Sequence, residues 1–274
     1  MEIKFVKINP TQNMTILVES PISRKDQPTI ASQLMNYDSV FAEQVGFIEA
    51  PLFYPDSWAR IQMMGGEFCG NATLSLAALL SIDRDLPLEI QTQIPIESSG
   101  TEQLIQCEVT RKEDHILTSL TLPTPSKIEL TTLMLEERSY DLTVVYLDGI
   151  THIILPVQSV TQEDIYFAEK ATQAWQNRFE TDALGLMLLE EKEYRITPLV
   201  YVKSTDSLIW ERGCGSGTAA IGAYLAHKAQ QSINAPIAQP GGDIVVKVGY
   251  SSGSITTLTI TGKVKIAARG IAYL

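Results

Sequence analysis

Residues 67–80, EFCGNATLSLAALL, place a cysteine and a glycine directly before a run of apolar side chains at helical spacing, and residues 211–226, ERGCGSGTAAIGAYLA, repeat the arrangement. With Cys69 set against Cys214, four of the eleven positions that follow are identical: Gly70 with Gly215, Thr73 with Thr218, Ala78 with Ala223 and Leu80 with Leu225. Alanine and leucine are good helix formers, so these identities alone leave room for two unrelated helix starts. The repeat is favoured because each cysteine opens its segment and because the surrounding elements recur in the same order. The chain reads as two similar halves, each with a thiol at the mouth of a helix.

Working outward, the opening MEIKFVKINP and the runs at 14–20, 46–50, 60–64, 88–94, 104–110 and 117–122 alternate or are β-branched, and read as strands. Two helices interrupt them. Residues 28–38 carry Ile30, Leu34 and Tyr37 at helical spacing, and residues 71–82 carry Leu74, Ala77, Ala78 and Ile82. The proline-punctuated stretch LPTPSK at 122–127 breaks the pattern. The order then restarts with strands at 142–147 and 151–157, a helix from about Thr161 to Phe179, strands at 184–190, 196–202 and 207–211, and a helix through Lys228. The tail, at 243–250, 254–262 and 263–274, is again strand-like.

Composition narrows the task. A formal charge of −11 repels both a polyphosphate backbone and an anionic lipid surface, so neither nucleic acid nor membrane is an expected partner. A small molecule is favoured. The N-terminus lacks the charged-then-apolar order of a secretion signal, and no apolar run reaches the length of a membrane span, so a cytoplasmic location is expected. Three cysteines make no disulfide framework, and with no C-x-x-C pair, and with His115, His152 and His227 at no ligand spacing, no metal site is expected.

The chemistry is carried by the helix ends. A helix N-terminus holds about half a positive charge and N–H groups that precede the hydrogen-bond ladder. A thiol there is pushed toward thiolate, and a glycine beside it lets an anion approach the same N–H groups. Two such motifs facing one another would grip a carboxylate, with a sulfur on either side of the adjacent carbon. That suits removal of a proton from one face of an α-carbon and delivery to the other, without a cofactor in principle. For either cysteine alone, simple packing is an equal alternative. Cys107, in an alternating strand run with no glycine beside it, is expected in the core.

The segments CGNA and ERGCGSGTA, with NPTQNMTILV (9–18), EQVGFIE (43–49), SLIWERGCGSGTA (207–219) and QPGGDIVV (239–246), resemble the diaminopimelate epimerase fold family, whose racemases and epimerases use two cysteines and no cofactor. Within it the chain resembles most the histidine racemases that feed staphylopine-type metallophore synthesis. The resemblance implies an α+β fold of two pseudo-symmetric halves, each a mixed sheet or barrel wrapped around a central helix. The halves would be 1–120, with the strand 262–274 packing back on it, and 121–261, with the active site in the cleft between them. Cys69 and Cys214 would be the acid/base thiols. Gly70, Asn71, Gly215 and Ser216 would donate to the substrate carboxylate, Asn13 would line the pocket, and Glu211 would accept from the α-ammonium group. Arg212 would either hold the carboxylate or pair on the surface. The resemblance implies no cofactor and an amino acid, histidine, as the small-molecule partner; a homodimer stays open, since the sequence carries no signal for assembly.

The departures bear on the substrate. Where a diaminopimelate epimerase has G-N-P-H, this chain has GITH, with Ile150 at the asparagine position, and Pro198 replaces another expected asparagine. A buried Ile cannot satisfy a second zwitterion, so diaminopimelate is disfavoured. Glu43 is the candidate to accept from an imidazole N–H, with an exposed strand-end charge as its alternative. His152 is expected as a satisfied core histidine rather than a substrate contact. Diaminopimelate epimerase and racemisation of another polar amino acid remain alternatives, the proline racemase branch being lowered by Asn71 where that branch has histidine. Among other classes, a nucleotide-binding module lacks G-x-G-x-x-G and a P-loop lysine. A cysteine hydrolase built on Cys214 and His152 would leave Cys69 without a role.

Overall fold

The computed structural model describes residues 1–203 and 206–274. It divides the chain into two compact units, Met1–Thr121 with Thr261–Leu274, and Leu122–Ile260.

In the first unit the strands β1 (Glu2–Pro10), β2 (Thr15–Val18), β3 (Gln44–Glu49), β4 (Ala59–Met63), β5 (Gln91–Ser98), β6 (Ile105–Arg111) and β7 (Ile116–Leu122) are hydrogen-bonded in chain order. The long last strand, called β16 (Ser254–Tyr273), follows β7 and pairs antiparallel with β1, so the ring of strands closes. Closure leaves no exposed sheet edge and makes an interior. Two parallel pairs, β2 with β3 and β4 with β5, each need a crossover. The helices α1 (Gln27–Met35) and α2 (Gly70–Asp83) supply them. α2 is apolar on all sides, and eleven of its residues are buried, as befits a helix enclosed by strands. α1 buries Ile30 and Leu34 against Ile3, Phe5, Ile16, Val18 and Phe47.

The second unit repeats this logic. Its order runs from β16 through β15 (Gly242–Ser251), β14 (Ile233–Gln239), β12 (Arg195–Val202), β11 (Ala183–Glu190), β10 (Ile150–Val157) and β9 (Arg138–Leu147) to β8 (Lys127–Leu135), with β13 (Ser207–Trp210) on β12. Again two parallel pairs are bridged by helices: α3 (Gln162–Trp175) joins β10 to β11, and α4 (Gly215–Ala229) lies between β12 and β14. α3 starts at a capping box, in which Thr161 and Asp164 each bond the other's backbone N–H. Its Ala168, Ala171 and Trp175 pack on Leu184, Leu186 and Leu188. α4, like α2, buries eleven residues.

Several expectations need correction. The first helix stops at Met35 because Asn36 turns extended, which leaves Tyr37 at 88% exposure instead of in the core. Ile82 emerges at the end of α2 and is 37% exposed. The strand expected from residue 88 begins only at Gln91, because Glu89 takes a left-handed φ of +63°. The last two of the three tail strands, 254–262 and 263–274, are one, and β8 and β14 were not foreseen. Cys107 is in the core as expected, and burial pushes its thiol up to about 12. No helix among the described residues is long and apolar enough to cross a membrane.

Candidate functional site

Each motif cysteine is the N-cap of its unit's enclosed helix. Cys69 has extended backbone (φ −130°, ψ 110°), and its Sγ accepts the N–H of Ala72 at 3.4 Å. Cys214 has φ −116° and ψ 109°, and its Sγ accepts the N–H of Gly217 at 3.3 Å. Cysteine here replaces the Ser, Thr, Asp or Asn that usually caps a helix, so the sulfur sits in the field of the helix terminus. The threonine four residues on closes the turn in both units: Thr73 Oγ1 donates to the Cys69 carbonyl at 2.9 Å, and Thr218 Oγ1 donates to the Cys214 carbonyl at 2.7 Å. The backbone ladder also begins at these threonines, Thr73 N and Thr218 N donating to the same carbonyls at 3.0 Å. Gly70, Asn71, Gly215 and Ser216 therefore occupy the first two helical positions, ahead of the ladder.

In the first unit a polar relay surrounds Cys69. Its thiol donates to Gln44 Oε1 at 3.0 Å, while Gln44 Nε2 donates to Asn13 Oδ1 at 2.6 Å and to Thr15 Oγ1 at 2.8 Å. Asn13 is 1% exposed, and its Nδ2 has no hydrogen-bond partner among the described residues. A buried amide donor left in this state is costly unless a ligand acceptor completes it. Asn13 is reached through two left-handed residues, Thr11 (φ 52°) and Gln12 (φ 61°), a local strain that recurs at functional sites. Glu43, half-buried, immediately precedes β3, its backbone N–H donating to the Met14 carbonyl at 2.9 Å. The approach to Cys69 is braced by the β5–β6 turn. Ser99 Oγ donates to the Glu67 carbonyl at 2.7 Å, and Gly100, at φ +72°, lies so close that a Cβ would stand 2.1 Å from Phe68 N.

In the second unit the β14–β15 turn braces the equivalent approach. Gly241 N donates to the Arg212 carbonyl at 2.6 Å, and Gln239 Oε1 accepts the N–H of Cys214 at 2.6 Å. Cys214 is 3% exposed; burial pushes its thiol well above the ordinary value, and the hydrogen-bonded carboxylate of Glu211 pushes the same way. Ser216 and the Gly217 N–H act in the opposite direction and are outweighed. Glu211 is half-buried, while Arg212 is exposed and donates from Nη2 to the Pro240 carbonyl at 3.2 Å. Ile150 is half-buried rather than fully buried, and Pro198 is buried on β12 opposite Met187.

His152 is a core residue, at 0% exposure, but not a satisfied one: neither ring nitrogen has a hydrogen-bond partner among the described residues. Burial alone pushes it down to about 3, so the ring is neutral. Among the described residues no group of three or more His, Cys, Asp and Glu side chains could hold a metal ion. The sequence reading missed Gln44, Gln239, Ser99 and Gly100. The two glutamines lie in quoted motifs, EQVGFIE and QPGGDIVV, yet their partners are distant in sequence.

Residues 2–273 match the family model described as the histidine racemase CntK N-terminal domain. A histidine racemase from Staphylococcus aureus (strain Mu50) is 33% identical, over 99% of this chain and 98% of that protein. A histidine racemase from Fusobacterium nucleatum subsp. nucleatum is 31% identical, over 98% of this chain and 97% of the relative. Among solved structures, a probable proline racemase from Agrobacterium radiobacter K84 with bound carbonate aligns with a TM-score of 0.73 at 12% identity, over 99% of this chain and 92% of the other. A hydroxyproline epimerase from Agrobacterium vitis with bound trans-4-OH-L-proline aligns at 0.71 and 12% identity, over 100% of this chain and 93% of the other. At this identity the solved structures speak for the fold, which is the α+β fold of these racemases and epimerases.

Proposed function

This chain belongs to the histidine racemase family and is an amino-acid racemase, and on that premise we propose that it interconverts L- and D-histidine with Cys69 and Cys214 as its two acid/base groups. The observation that carries the reading is the matched construction of the two thiols: each caps an enclosed helix, accepts the third helical N–H, and has its carbonyl held by a threonine. A two-base inversion needs such a pair. One cysteine, as thiolate, takes the Cα proton and becomes a thiol; the other, as thiol, gives its proton to the opposite face and becomes a thiolate. The negative charge that develops passes onto the substrate carboxylate and is met by the N–H groups of Gly70, Asn71, Gly215 and Ser216.

Asn13 Nδ2, which has no hydrogen-bond partner among the described residues, supplies a donor for the same substrate. Glu211, bonded to the Cys214 thiol, is assigned to accept from the α-ammonium group. Glu43 is assigned the imidazole, and Arg212 a supporting role at the carboxylate. No cofactor enters the steps, and the D-histidine formed is assigned to metallophore assembly.

A chiral separation of products from the purified chain, run on a panel of free amino acids without added cofactor, tests the reading. Histidine is expected to reach an equal mixture of enantiomers from either side. Inversion of another polar amino acid in preference to histidine would overturn the substrate, and inversion of none would overturn the two-thiol assignment.

A further inference from the structure

One buried polar side chain bonded to the backbone of the Cys214 turn belongs to none of the groups assigned above. Gln239, at the end of β14, is 8% exposed. Its Oε1 accepts the Cys214 N–H at 2.6 Å, its Nε2 donates to Thr218 Oγ1 at 2.8 Å, and Thr218 Oγ1 donates to the Cys214 carbonyl at 2.7 Å. The three bonds form a closed ring around the backbone of Cys214. The ring fixes the sense of each member: the Thr218 proton is spent on the carbonyl, so its oxygen only accepts, and the amide must turn its nitrogen there and its oxygen to the N–H. A carboxylate at 239 could not complete this pattern, and an apolar residue would leave a buried N–H without an acceptor.

We propose that Gln239 is the positioning residue for the Cys214 thiol, holding the N-cap backbone so that the sulfur stays on the Gly217 N–H and aimed past the helix terminus. The proposal rests on Cys214 being one of the two reacting thiols. The two units solve the problem differently. In the first, the glutamine that reaches the cysteine, Gln44, takes the thiol itself; in the second, the glutamine takes the backbone and leaves the sulfur to Gly217, Ser216 and Glu211. The ring also removes the Cys214 N–H from any substrate cradle, so the N–H groups offered by α4 begin at Gly215.

The test measures alkylation of each cysteine by iodoacetamide against pH, resolved peptide by peptide, beside histidine turnover. In Gln239→Leu the loosened cap weakens the Gly217 N–H bond to sulfur, and the Cys214 midpoint is expected to rise by about half a pH unit or more, while that of Cys69 stays in place. Thr218→Val removes the same ring from its other side and should reproduce the shift; the double variant should be no worse than either single one. Thr218→Ser, which restores the hydroxyl, should bring the midpoint back. Turnover should fall about tenfold or more in Gln239→Leu, through kcat rather than KM. An unmoved Cys214 midpoint in folded Gln239→Leu and Thr218→Val overturns the proposal. A moved midpoint with full turnover supports the positioning role and instead contradicts Cys214 as a reacting thiol. In the unaltered protein, the Cys214 amide should exchange with solvent deuterium as slowly as the interior of α4, and fast exchange there would overturn the proposal without any variant.

Discussion

The imidazole of His152 rests on the α-carbon of Gly185, where a Cβ would stand 2.1 Å from Nδ1. The two residues face each other across the parallel pair β10–β11. Gly185→Ala should therefore cost about 1–3 kcal/mol by overpacking, measurable as a lower midpoint in urea. The ring also makes stability pH-dependent. The unfolded chain protonates this histidine near 6.5 and the folded chain only near 3, so the unfolded state binds the extra proton in between. Stability is then lost as pH falls through that window, by up to about 1.4 kcal/mol per unit from this group. His152→Leu should flatten the dependence between pH 6 and pH 4, whatever it does to stability at pH 7.

Gln44 is the acceptor of the Cys69 thiol proton and is itself held by Asn13 and Thr15. Gln44→Leu strips the thiol of that acceptor and leaves Asn13 Oδ1 without its donor. At about 1–3 kcal/mol for such a loss, turnover should drop on the order of tenfold or more. Steady-state kinetics with L- and D-histidine would check it, and an unchanged rate would remove Gln44 from the account.

Burial first, and then the carboxylate of Glu211, hold the Cys214 thiol above its ordinary range. Glu211→Gln removes the second cause and leaves the first. The alkylation midpoint of Cys214 should move down while staying above that of an exposed cysteine. Turnover should fall at the same time, because the carboxylate assigned to the α-ammonium group is gone. A midpoint that moves up would contradict the sign of the interaction.

Glu97 is 2% exposed and braces the loop that follows β3. Burial acts to raise its carboxyl, but the N–H groups of Leu52, Tyr54 and Phe53 and the Arg60 guanidinium outweigh it and hold the group below the ordinary carboxylate value. The stabilisation is present above the unfolded value of about 4.3 and is lost as pH falls through the lower folded value. Glu97→Gln should destabilise the chain at pH 7 and make its melting less sensitive to acid below pH 4.

The repeat and its two cysteines were legible because both lie in contiguous sequence: a cap, a glycine and an apolar helix fit within a dozen residues. The helices α2 and α4 could be placed, and their enclosure was expected from the family resemblance, in keeping with apolar residues all round the axis. β14, with Pro236 in its middle, gives a poor strand signal, although its end carries Gln239. Gln44 and Gln239 escaped for a related reason. Each lies 25 residues from the cysteine it touches, and a glutamine on a strand looks like any polar alternation until the fold supplies its partner. His152 was rightly put in the core, but periodicity carries no information on whether a buried ring finds hydrogen bonds.

The central claim is that two protein thiols exchange the Cα proton of histidine. It is tested most directly by incubating L-histidine with the unaltered chain, Cys69→Ser and Cys214→Ser in deuterium oxide, and following Cα deuterium and enantiomer together. The unaltered chain should yield D-histidine deuterated at Cα, with each serine variant slowed on the order of a hundredfold or more. D-histidine that forms with protium retained at Cα, or inversion that persists at full rate in either variant, would contradict the account.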